Sequence, residues 1–126
     1  MHPFVLHIGA TMPASEMPIF TRSYDFLSWL LPVSNHFPRV HRHTFTQRLL
    51  NGAFDLREHL EAANFHSGKE RLGYLRQADE DLSRVRLYLR LATRWGWLSA
   101  GQYQHVAAMV AEIGRLLGGW KKVTIQ

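Results

Sequence analysis

The chain contains no cysteine, so disulfides and thiol chemistry are excluded, and a reducing compartment is compatible with the sequence. It also lacks long apolar runs. The longest, such as FLSWLLPV, fall far short of the ~20 residues that a membrane helix needs. The opening MHPFVLHIGATMPA has none of the basic residues that begin a secretory signal, so a cytoplasmic location is expected. Acidic side chains are the scarcer sign, ten against fifteen lysines and arginines, giving a formal charge of +5 and a sequence pI of about 10.1. Eight histidines can add positive charge below neutral pH. Such a surface favours polyanions, of which nucleic acid is the commonest; anionic lipid or an acidic protein fits net charge equally well.

Catalytic patterns are missing too. No glutamate has a histidine three residues on, so the paired Glu-x-x-His ligands of a di-iron bundle are absent. There is no HExxH zinc motif, and the SGK at 67–69 lacks the first glycine of a phosphate-binding loop. His41 and His43 form an H-x-H pair in a basic loop. A metal there would need a third converging ligand, and the alternative is a solvated pair lying near phosphate. No spacing points to a hydroxyl–histidine–acid triad. The expectation is a binding protein that is not an enzyme and needs no cofactor.

What the sequence has in quantity is helical periodicity, and no strand-like alternation competes with it. At 126 residues and 14.6 kDa it makes one domain. Residues 1–16, with Pro3, Gly9 and Pro13, read as a flexible tail, and Met12 and Met17 are alternative starts. A first helix from Pro18 places Phe20, Tyr24, Leu27, Leu31 and Ser34 at three/four spacing, with Phe26, Trp29 and Leu30 widening the apolar surface. Pro32 should kink it. After the basic connection HFPRVHRH, a second helix over 42–65 aligns Phe45, Leu49, Ala53, Leu56, Leu60 and Ala63. A third is expected over 69–98 and a fourth from the N-cap Ser99, carrying Tyr103, Val106, Val110, Ile113, Leu117 and Trp120, with Gly118 and Gly119 favouring termination. Gly114 and Gly118 lie four apart, where missing side chains would admit a close helix contact; fraying near the end accounts for Gly118 equally well. Short turns between four amphipathic helices predict an all-α, antiparallel up-down-up-down bundle over 17–122, with 123–126 as a C-terminal tail.

The third helix organises the rest. Leu75, Ala78, Leu82, Val85, Leu89 and Ala92 form one apolar stripe. Leu87, Tyr88, Leu91 and Trp95 fall on another face, which a lone bundle does not need and which a second subunit or a partner would cover. Arg76, Arg86, Arg90 and Arg94 lie between the two. Arg76 and Arg84 each have Glu80 four residues away, so surface pairs explain them. Arg86, Arg90 and Arg94 are spaced four apart with no acid at three or four residues' distance. Like charges so placed cost a few tenths of a kcal/mol per pair, a cost that an external anion offsets; snorkelling over an apolar face, or acids on another helix, would serve instead.

The run YDFLSWLLPVSNHFPRVHRHTFTQRL, the pattern LRQADEDLSRVRLYLRLA and the closing VAEIGRLLGGWKK resemble the accessory variability determinant proteins of diversity-generating retroelements. That family is similar in turn to bundle proteins encoded in ribosomal RNA intervening sequences. The resemblance covers roughly residues 18–122. It implies a five-fold ring of four-helix protomers that binds RNA or DNA through basic surfaces, associates with the retroelement's reverse transcriptase, and supports mutagenic copying of template RNA into cDNA. The alternative is an RNA-binding protein of the intervening-sequence type without a polymerase partner. On the first reading, Arg39, Arg42, Arg86, Arg90, Arg94, Lys121 and Lys122 are basic positions for nucleic acid, and Leu87, Tyr88, Leu91 and Trp95 form the subunit interface.

Overall fold

A computed structural model describes residues 17–126; the expected N-terminal tail lies outside the described residues. Helix α1, Pro18–Ser34, begins with proline at its first position, where a missing N–H costs nothing. It buries Ile19, Phe20, Ser23, Phe26, Leu30 and Ser34. The expected stripe is therefore out of phase: Tyr24 is 65% and Leu31 46% exposed. Large apolar residues surround this helix on most sides, and two serines decide its orientation. The hydroxyls of Ser23 and Ser34 donate to the carbonyls of Phe20 and Leu31, which lets both go inward. Pro32 sits in the last turn, and the helix continues past it to Ser34.

A 3-10 turn, Arg39–His41, and a π-helical turn, Arg42–Thr46, lead into α2, Gln47–Phe65. Helical winding thus starts at Arg42, as the periodicity requires, and all six residues of the expected stripe are buried. At the end of α2, His66 Nδ1 donates to the Ala62 carbonyl at 2.7 Å and Arg71 Nε to that of Ala63 at 2.9 Å, satisfying carbonyls that the helix leaves free.

Helix α3, Gly68–Arg94, buries all six residues of its first stripe. It ends four residues earlier than the apolar pattern implies. Gly96, with φ +80°, takes the left-handed position after the helix; its N–H bonds back to Thr93 O at 3.0 Å, and that of Trp97 to Ala92 O at 2.8 Å. This is a Schellman stop, open to glycine because a side chain there meets its own backbone. Helix α4, Ala100–Ile125, starts on a full capping box between Ser99 and Gln102. It runs through Gly118 and Gly119 without breaking, so residues 123–125 prolong the helix and form no tail.

Contacts between neighbouring helices run in opposite order along the chain. On α2 and α3, Asp55 meets Arg84, His59 meets Asp81, and His66 meets Tyr74. On α3 and α4, Lys121 meets Asp79 and Gly114 meets Arg86. On α1 and α4, Phe20 meets Trp120 and Trp29 meets His105. Adjacent helices are antiparallel, and the result is an all-α four-helix bundle around one continuous core. Its central leucines, Leu56, Leu60, Leu75 and Leu117 among them, are 0% exposed, where truncation to alanine costs about 2–5 kcal/mol.

The α2–α3 seam holds a buried acid. Asp81, 6% exposed, accepts from His59 Nδ1 at 2.5 Å and from Arg84 Nη2 at 3.0 Å, and Arg84 also reaches Asp55 at 3.1 Å. Arg84 therefore pairs with Asp81 and Asp55, in place of the expected Glu80. Neither Arg76 nor Glu80 makes an ion pair among the described residues. Burial pushes the Asp81 carboxyl above its usual range, against the pull of His59 and Arg84.

Candidate nucleic-acid interface

The two longest stretches of the chain without an acid are residues 26–54 and 82–111. Antiparallel packing brings them together. They comprise the end of α1, the start of α2, the end of α3 and the start of α4, which all lie at one end of the bundle with the turns between them. That end carries seven arginines and no carboxylate, while the other described residues carry eight basic and nine acidic side chains. The positive excess of the folded domain is therefore at one end. Arg84, at the boundary, is paired; Arg39, Arg42, Arg48, Arg86, Arg90 and Arg94 have no carboxylate within 4.0 Å among the described residues.

Within this end the arginines occupy two places. Arg86 and Arg90 line a shallow cleft of about 100 Å³ between α3 and α4, with Tyr103 and Val110. Arg86 lies directly over Gly114: a Cβ built there would come within 2.6 Å of its guanidinium. The close approach expected at Gly114 is thus made by an arginine, whereas Gly118 faces open space. Arg94 is exposed on the last turn of α3. Arg39 and Arg42 line a second cleft at the α1–α2 junction. The turns that carry the two groups touch, because the His41 imidazole stacks on Trp97 with ring centres 5.4 Å apart.

An aromatic cluster closes the same end. Phe45 packs edge-on against Tyr88, Trp95 and Trp97, at 5.2, 5.7 and 5.0 Å, and Phe37 joins it through Phe45 and Trp97. Trp95 remains 52% exposed. Arginines around a half-open aromatic face suit single-stranded nucleic acid, whose phosphates take the charge and whose bases stack.

The remaining expected positions divide. Tyr88 and Leu91 pack against their own core, and Leu87, 45% exposed, and Trp95 are the open members of the second stripe. Lys121 and Lys122 sit at the opposite end of the bundle from the arginines, and Lys121 pairs there with Asp79. His43 Nδ1 lies 3.4 Å from Gln47 Oε1, and among the described residues no three His, Cys, Asp or Glu side chains converge as a metal site requires. Arg48 belongs with the basic end and is not singled out by helix spacing; the acid-free runs are the sequence signal that includes it.

A family model described as bAvd-like matches residues 17–124. Among solved structures, the bundle is similar to a protein of unknown function from the S23 ribosomal protein family of Bacteroides thetaiotaomicron. The TM-score is 0.76 and the identity 15%, over 83% of this chain and 96% of that one. At that identity the likeness is one of fold. No functionally curated protein resembles the chain closely enough to match it. No helix of the described residues is long and apolar enough to cross a membrane.

Proposed function

Because the chain belongs to the bAvd-like family and is an accessory protein of retroelements, we propose that it acts without catalysis of its own, binding template RNA or cDNA and the reverse transcriptase as a homo-oligomer, a pentamer in the resemblance. Family membership over residues 17–124 supports the accessory role. The acid-free end supports the nucleic-acid contact, because six arginines without carboxylate partners repel one another until phosphates neutralise them. Phosphates fix position without reading bases, so binding is expected to show little sequence preference. Leu87 on α3 and Trp95 just past its end, both exposed, are the part of the second stripe left for contact with another subunit or the polymerase.

The test is reconstitution with the reverse transcriptase of the retroelement that this chain is proposed to serve. The two should copurify, and cDNA synthesis on the template RNA should depend on the bundle protein. A polymerase that neither binds it nor copies better in its presence overturns the proposal.

A further inference from the structure

The cleft at the α1–α2 junction is somewhat larger than the one beside Arg86 and Arg90. Its volume is about 160 Å³, and Ser34, Asn35, Arg39, Arg42 and Thr46 line it together with the apolar Phe37. Drug-sized ligands usually take ~300 Å³ or more, so this space suits a small group. Thr46 is the informative residue. It is 8% exposed, and its hydroxyl has no hydrogen-bond partner among the described residues. The other buried or half-buried serine and threonine hydroxyls behave differently: Ser23, Ser34, Thr93 and Thr124 each donate to a carbonyl three or four residues back. Thr46 closes the π-helical turn, where the Arg42 carbonyl, four residues back, is taken by the N–H of Gln47, five residues on. Single π turns inside helices are often found at functional sites, and a buried hydroxyl without a partner calls for an explanation.

We propose that this pocket binds a phosphate monoester, its oxygens accepting from the Thr46 hydroxyl and from the guanidiniums of Arg39 and Arg42. The two arginines stand three residues apart on successive turns, with no carboxylate within 4.0 Å among the described residues. They match a group of nearly two negative charges better than the single charge of a diester. A cleft of this size, with Thr46 and the two arginines in its lining, has room for a terminal group and not for a strand running through it. The phosphate belongs either to the 5′ end of a nucleic-acid strand or to a free mononucleotide. The site stands on its own geometry and adds a subsite to the nucleic-acid reading without depending on it.

The experiment compares one oligonucleotide with a 5′-phosphate and with a 5′-hydroxyl, and separately titrates inorganic phosphate and adenosine monophosphate, following the amide resonances of Arg42 and Thr46 in the full chain. If the source is a strand end, the 5′-phosphate should improve affinity about tenfold, the worth of one charge-assisted hydrogen bond. If the source is a mononucleotide, the small phosphates should shift those two resonances while the oligonucleotides bind alike. In either case Thr46→Val should reduce the effect, and since it removes only a buried, unpartnered hydroxyl it should leave the fold intact. Arg39→Gln with Arg42→Gln, which removes both charged donors, should abolish it. Equal oligonucleotides with no shift from either small phosphate, or an effect that Thr46→Val leaves unchanged, overturns the proposal. Whether the 5′-hydroxyl strand binds at all reports on the nucleic-acid reading alone.

Discussion

Replacing Arg86, Arg90 and Arg94 by glutamine removes three of the six arginines at the basic end that lack carboxylate partners. Glutamine keeps helix propensity, and none of the three anchors an ion pair among the described residues, so α3 should stay folded. Each phosphate contact to a single strand contributes about 0.7 to the slope of log affinity against log salt. Six contacts give a slope of about −4, a loss of roughly 300-fold between 50 and 200 mM salt; three give about −2 and roughly 20-fold. Fluorescence anisotropy with an unstructured RNA, repeated across salt, reads both slopes, and circular dichroism checks the fold. The control is an equal loss of charge at the other end, Lys69→Gln, Arg76→Gln and Lys122→Gln, which should leave the slope where it was. If both triple variants flatten the slope equally, net charge governs binding and the concentration of arginine at one end is irrelevant to it.

Leu87→Glu, on the exposed part of the second α3 stripe, should dissociate an oligomer while preserving helical content, since it desolvates a charge only at an interface; light scattering of the unmodified protein as a monomer would refute that use of the stripe. Gly114→Ala should stabilise the fold by up to about 1 kcal/mol of helix propensity, read as a higher melting temperature, because the atom in its way is the mobile end of Arg86. The same substitution should weaken RNA binding by displacing that guanidinium, and a fall in melting temperature would show that the Arg86 contact holds the helices together. Asp81 titrates at higher pH folded than unfolded. Its contribution is therefore fully present below the unfolded value and declines as pH rises through the raised folded one. Urea midpoints from pH 3 to 7 should show a fall in the parent that Asp81→Asn removes; parallel profiles would contradict the burial argument.

The stripes of α2, α3 and α4 are legible in sequence because leucine and alanine recur there on one face with polar residues opposite. The phase of α1 is not, since Tyr24, Leu27, Trp29 and Leu31 make nearly any orientation look apolar, and two back-bonded serines settle it. Trp95, Trp97 and Leu98 imitate one more turn of α3, and only the left-handed backbone of Gly96 turns them into a connection. The pairing of Arg84 is only partly legible for a similar reason. Helix spacing offers both Glu80 and Asp81 to Arg84, and burial selects Asp81, whereas Asp55 is 29 residues away and comes within reach through packing alone. The basic end is a mixed case: its acid-free runs are visible in the chain, but their meeting at one end follows from the antiparallel order of the helices.

A bundle with all its positive excess at one end is an electric dipole as well as a cation. The helices' own dipoles largely cancel between antiparallel neighbours, so the side chains set its size. Taking the two halves as roughly 20 Å apart, from the 1.5 Å rise per residue, the moment is on the order of 80 electron-ångströms. In the field of a polyanion such a molecule rotates before it arrives and presents Trp95, Trp97 and the arginines first. Fewer encounters are wasted on the acidic end, and the orientation is lost as salt shortens the reach of the field. The direction of approach is thus written into the placement of the nine acids among the described residues as much as that of the fifteen bases.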